Sequence, residues 1–299
     1  MPRIQYVARN FRPAAMAVID AANVILHEYE EQGFVLTLRQ LYYQFVSRDL
    51  LPNVQESYDR LGSIINDARL AGLVDWNHLI DRTRNLQTLQ HFAGAADALQ
   101  KLASWYHIDM WERQQYRPEV WIEKDALVGV IEGVCQELDV PYFSCRGYTS
   151  QSEMWAAAMR FKKYEGRGQI PYIFHFGDHD PSGKDMSRDI ADRIELFMGG
   201  IEFTRVALTM DQIEEYSPPP NPAKITDSRA KAYIAEYGNE SWELDALEPT
   251  VIATLIRDHI AGVCDETIWA EDTANKRVIK RRLQTLANEW RDDDANQDS

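Results

Sequence analysis

Residues 172–183 read Tyr172-Ile173-Phe174-His175-Phe176-Gly177-Asp178-His179-Asp180-Pro181-Ser182-Gly183. An apolar run that stops at a glycine, then two acids, a proline and a helical stretch (Gly183–Met198), predicts a strand carrying carboxylates at its carboxyl end. Working outward, Glu119–Ile122, Tyr142–Cys145 and Phe203–Leu208 are further strand candidates. Helical stretches follow the first two, over Ala126–Leu138 and Gln151–Tyr164. Strand and helix in alternation predict βαβ units, and so an α/β domain with a mostly parallel sheet covered on both faces.

Upstream the pattern is helical. Apolar residues recur at helical spacing from Ala14 to Glu31, from Leu38 to Val46 behind a Thr37 cap, and from about Gln55 to Ala71. Leu73-Val74-Asp75-Trp76 and Leu79-Ile80 suggest short extended pieces. Three helices followed by a short hairpin is the order of a winged helix-turn-helix, and a fourth helix near Ala93–Tyr106 would lead out of it. Downstream, Pro218-Pro219-Pro220-Asn221-Pro222 predicts a rigid connector, followed by helices around Ser228–Tyr237, Pro249–Ala261 and Thr273–Trp290. The expected divisions are residues 1–115, 118–215 and 216–299, the last being a connector with a helical extension and an acidic tail.

The 299 residues carry 45% hydrophobic and 26% charged side chains, the balance of a globular protein. The absence of a signal-like N-terminus or a long apolar run predicts a protein outside the membrane; the expected location is the cytoplasm, beside the nucleoid if DNA is the partner. Cys135, Cys145 and Cys264 are too scattered for a disulfide framework or a zinc site. A net charge of −15 weighs against a nucleic-acid partner, but its distribution is uneven. Residues 1–120 carry 12 Lys+Arg against 14 Asp+Glu, so the first part is nearly neutral and can present a local basic face.

Two acidic stretches carry the candidate chemistry. Glu123 follows its strand in Val120-Trp121-Ile122-Glu123-Lys124-Asp125, and Asp178 and Asp180 follow theirs. Carboxyl ends of parallel strands form the ligand crevice of open sheets, so the three acids could converge there. Hard oxygen ligands suit Mg²⁺, with Mn²⁺ also possible, and such an ion would relieve their mutual repulsion. His179 is expected to face solvent and His175 to pack in its strand. In Thr37-Leu38-Arg39-Gln40-Leu41-Tyr42-Tyr43, Arg39 and Tyr43 stand four apart and share a helix face. Arg39 could favour the phenolate or grip a phosphate. Equally, Leu38, Leu41, Tyr42 and Phe45 make an apolar face, and the rings could be core. Arg60 and Arg69, with Arg82 and Arg84 beyond, are candidate DNA phosphate contacts, or else a solvated face partnered by Asp59, Asp67 and Asp81.

Together these motifs resemble the topoisomerase VI A subunit family, which includes the meiotic enzyme that makes programmed double-strand breaks. The likeness rests on Glu123-Lys124-Asp125-Ala126, Arg146-Gly147-Tyr148, the Asp178–Gly183 motif, Arg39-x-x-Tyr42-Tyr43, and Trp242-Glu243-Leu244-Asp245-Ala246-Leu247. It covers roughly residues 35–75 and 118–250. It implies a winged helix ahead of a Toprim domain, with Mg²⁺ held by Glu123, Asp178 and Asp180. It further implies Tyr43 as the nucleophile that stays linked to the DNA 5′ end, Arg39 as its phosphate partner, and a homodimer in which Tyr43 of one chain meets the metal site of the other. No Walker-type loop is present, so ATP-driven strand passage would need a separate B-type subunit. Two other readings stay open: a Toprim-type hydrolytic nuclease of a mobile element, phage or defence system, and a non-enzymatic DNA-docking protein.

Overall fold

A computed structural model of the chain describes residues 3–79, 89, 91–223 and 229–297, with side chains as far as 290. Four parallel strands, β1 (Tyr116–Ile122), β2 (Tyr142–Ser144), β3 (Ile170–Phe176) and β4 (Glu202–Ala207), form one sheet in the order β2-β1-β3-β4. The expected α/β class with a parallel sheet and a helical C-terminal part is therefore present. In β1 the side chains alternate between the two faces, as a pleated strand requires. Val120 and Ile122 join Phe174 and Phe176 in one core, closed by α5 (Val128–Glu137) and α10 (Pro249–Ala261). Trp121 and Ile173 face the other way, into a core with Met154, Ala158 and Phe161 of α6 (Gln151–Glu165) and Ile190 and Ile194 of α7 (Pro181–Met198). Thus the segment beyond 216, expected as an extension, supplies one of the sheet's covers.

The N-terminal helices fall close to their expected limits: α1 (Pro13–Glu31), α2 (Leu38–Ser47), α3 (Gln55–Leu70) and α4 (Ala95–Trp105). The first three share a core of their own around Ile25, Leu41, Phe45, Leu61 and Ile65. Thr37 caps α2 in a capping box with Gln40, which fixes where that helix starts and therefore which way Arg39 and Tyr43 point. The expected hairpin after α3 is not formed by the described residues. Positions 71–78 are turns and bends, and Leu79 bridges Leu36 in parallel instead. Asn23 helps hold that path by donating to the Leu73 carbonyl (3.0 Å). Ile80, Asp81, Arg82 and Arg84 lie outside the described residues.

Further along lie α8 (Met210–Tyr216), a two-stranded antiparallel ribbon of β5 (Asn221–Pro222) and β6 (Glu240–Ser241), and α9 (Ala230–Tyr237) between those strands. The last helix, α11, runs Glu266–Gln297, starting two turns earlier than the apolar pattern implied, and packs along α4. No helix among the described residues is long and apolar enough to cross a membrane.

Candidate active site

Parallel pairing of Ile122 with Phe176 puts the residues after β1 and β3 at the same end of the sheet. There Glu123 Oε2 accepts a hydrogen bond from the Asp178 backbone N–H (2.8 Å). Asp178 Oδ1 in turn accepts from the Leu244 N–H (2.8 Å), and Asp178 Oδ2 lies 3.1 Å from Lys124 Nζ. Asp180 is the N-cap of α7, its Oδ1 accepting from the Gly183 N–H (2.6 Å), with Pro181 at the first helical position. So the sheet register brings Glu123 and Asp178 into contact, and Asp180 stands close enough to raise the pKa of Glu123.

Burial is the first cause of the perturbation at both inner acids. It raises Glu123 above the usual carboxylate range, and it pushes Asp178 up to about 8 despite the opposing pull of Lys124. Carboxylates in this state favour a proton or a cation. Among the described residues no three His, Cys, Asp or Glu side chains converge as a ready-made ligand set. The cation in place is Lys124, whose ammonium also lies 2.7 Å from Glu243 and 2.8 Å from Asp245. The donors present are hard oxygens, the type that suits Mg²⁺ better than a softer metal.

The turn at Leu244–Ala246 brings Glu243 and Asp245 against α2. Arg39 pairs with Glu243 (2.5 Å) and Asp245 (3.1 Å), and its guanidinium stands 5.9 Å from the centre of the Tyr43 ring. A continuous chain of charge therefore runs from Arg39 through Glu243, Asp245 and Lys124 to Asp178. Arg39, Glu123, Lys124, Arg146, Asp178 and Glu243 line an open cleft of about 380 Å³. Tyr43 is only 3% exposed, and its phenol is pushed up, first by burial and then by Asp245 and Glu243, with Arg39 opposing.

Other expectations fare differently. The Tyr42 ring packs in the core and its hydroxyl donates to backbone oxygens at Pro52 and Val54, as the packing account required. His175 is fully buried in its strand. His179 was expected to face solvent but is 1% exposed. It sits among Tyr233, Tyr237 and Trp242, with Tyr233 Oη 2.8 Å from its Nδ1, because its backbone bridges Trp242 and folds that segment over it. Arg60 is exposed on α3. Arg69 is turned inward instead, donating to the Trp76 and Leu79 carbonyls and stacking on the Trp76 ring, which closes the loop after α3.

Sequence reading missed Arg205 on β4. Its guanidinium is buried and donates to the carbonyls of Gly177 (2.9 Å), Asp178 and Gly183 (2.9 Å), bracing the loop that carries the acids. The available signal was a charged residue, Arg205, inside the strand candidate Phe203–Leu208 and directly before its apolar end Val206-Ala207-Leu208. The chain matches no protein-family model and no curated protein.

Proposed function

We propose that the chain is a Mg²⁺-dependent DNA-cleaving transesterase, with the N-terminal helices as a winged-helix module and the sheet as a Toprim domain. The observation that carries this reading is the approach of α2, bearing Arg39 and Tyr43, to the acids at the strand ends. Glu123, Asp178 and Asp180 would hold the ion, which supplies charge stabilisation for a phosphate in transfer. Arg39 is suited to grip the scissile phosphate through two charge-assisted hydrogen bonds. The Tyr43 oxygen then attacks phosphorus, the bond to the 3′ oxygen breaks, and the phenolic proton is made good at that leaving oxygen. The product is a 5′-phosphotyrosyl link. A phosphate on Arg39 must compete with Glu243 and Asp245, so productive DNA binding requires that pair to open.

A second reading is favoured by the burial of Tyr43 and its raised pKa. In it, water attacks at the acidic site and the enzyme is a hydrolytic nuclease. One experiment separates the two. Tyr43→Phe removes only the attacking oxygen, so the transesterase reading expects no cleavage. It also expects protein on the 5′ ends of wild-type reactions stopped with denaturant, seen as slowed migration reversed by protease. Wild-type cleavage rates in Tyr43→Phe, with free 5′-phosphates, would establish the nuclease. We further propose a homodimer, since cutting both strands takes two nucleophiles, with a separate ATPase subunit if strands are passed.

A further inference from the structure

We propose that the middle of α11 is a duplex-DNA grip, a phosphate-binding ladder formed by Arg277, Arg281 and Arg282 with Lys276 and Lys280. This inference rests on reading the chain as a DNA enzyme and adds where the duplex is held away from the cleavage site. The sequence Lys276-Arg277-Val278-Ile279-Lys280-Arg281-Arg282 puts five cations in seven residues, and no carboxylate occurs between Asp272 and Glu289. In a chain with 47 acids and 32 bases, that is the reverse of the general balance.

The arginines here are also spent differently from most of those elsewhere among the described residues. Arg113, Arg117, Arg160, Arg188 and Arg257 are each paired with carboxylates at 2.5–2.8 Å. Arg277, Arg281 and Arg282 are exposed and have no carboxylate partner among the described residues. Lys280 is anchored, donating to the Ser104 carbonyl (2.8 Å), so α4 fixes the orientation of the ladder. Acids that line the neighbouring cleft are already engaged: Glu137 by Arg257 and Asp139 by the Met110 N–H. Upstream, Glu271 and Asp272 are both paired with Arg113. Downstream, the next carboxylate, Glu289, follows Arg282 by about 10 Å of helix, beyond a Debye length of ~8 Å at physiological salt.

Geometry favours a repeating polyanion. Arg277 and Arg281 stand four apart and share a face, and the whole ladder is about 9 Å long. Phosphates recur every ~3.4 Å of axis along each DNA strand, so several cations can be engaged at once. The location makes it a remote contact. Gln114, just before β1, bonds both the N–H (2.8 Å) and the carbonyl (3.1 Å) of Asp265, so α11 starts at the end of the sheet opposite Glu123. The length of β1 separates the two by about 20 Å.

The test is binding of a fluorescent duplex of ~30 base pairs, with chelator present so that nothing is cut, over salt from ~50 to ~200 mM. The variant R277Q/R281Q/R282Q should lose about tenfold or more in affinity, and its log–log salt slope should flatten by about 2 to 3. K162Q/K163Q, which removes exposed charge on α6, should stay close to wild type. Equal binding by wild type and the triple variant, equal loss in the α6 control, or no duplex binding by the wild type even at low salt would each overturn the ladder. So would the triple variant losing self-association, or binding to vesicles of anionic lipid, rather than DNA affinity; exposed Val278 and Leu286 make self-association the competing occupant. The outcome is independent of Tyr43: a ladder that binds while Tyr43→Phe still cuts would remove the transesterase reading alone.

Discussion

Lys124 is the residue on which the acidic centre balances, because its single ammonium faces Asp178, Glu243 and Asp245 within 3.1 Å. Removing one partner of a buried ionic group leaves the others uncompensated, at a cost of about 3–5 kcal/mol. Lys124→Met should therefore unfold at markedly lower denaturant when no divalent cation is present. The sign with pH follows from Asp178, whose folded-state pKa of about 8 lies above its ordinary value. Between those two values the folded state holds the extra proton, so this group's contribution falls as pH rises from about 4 to 8. The stability deficit of Lys124→Met should then be smaller at pH 5 than at pH 8, and Mg²⁺ at pH 8 should reduce it. A deficit insensitive to both would mean that Lys124 serves packing alone. Glu123, Asp178 and Asp180 were readable as strand-end acids because the motif and the strand share one short stretch of chain. Glu243, Asp245 and Arg205 were not readable as their neighbours, since their contacts depend on pairings across 22 to 206 residues.

At the scale of elements, the start of α7 sets the spacing of the acids. A Cβ on Gly183 would lie 2.2 Å from the Asp178 carbonyl oxygen and 3.1 Å from Glu123 Oε2. Since the first obstacle is backbone, Gly183→Ala must push α7 away from the loop, and overpacking of this kind costs about 1–3 kcal/mol. We expect a lower melting temperature and a loss of cleavage greater than the loss of stability explains, checked by assaying well below the melting point. The strand β3 carries a second consequence. Burial pushes His175 down to about 3 and His179 down to about 4. The unfolded chain takes up these protons near pH 6.5 while the folded chain does not, so stability is lost as pH falls below about 6.5. In His175→Phe that contribution disappears, and its melting temperature should gain on wild type as pH is lowered from 7 to about 4.5; parallel curves would refute it. Helices and strands were legible because their caps and apolar periods are local: Thr37 before α2, Pro181 in the first turn of α7, alternation in β1. The segment after α3 misled because Leu73 and Val74 look like a strand, yet Val74 and Leu79 are buried by packing on α1–α3 as a turn.

Across the whole molecule, the question is whether the tyrosine and the acids that work together belong to one chain. The family resemblance implies exchange between two chains, whereas here Arg39 reaches Glu243 and Asp245 of its own chain, and these reach Asp178 through Lys124. Contacts between α2 and the Leu244–Ala246 turn join the N-terminal helices to the sheet domain through that same charge chain. DNA must open the Arg39–Glu243 pair in either mechanism, but exchange would also part α2 from the Leu244–Ala246 turn that it packs against. We therefore expect catalysis within a chain, and complementation is the measurement. Tyr43→Phe keeps the acids, and Asp178→Ala keeps the tyrosine; each should be inactive alone. In a mixed dimer, a within-chain mechanism leaves no complete centre, so the mixture should also be inactive. A between-chain mechanism assembles one complete centre from the Tyr43 of one chain and the acids of the other, which would nick a single strand of a supercoiled plasmid. Nicking in the mixture and in neither component would show that the Arg39–Glu243 contact is a closed, resting arrangement that must open before the chains exchange tyrosines.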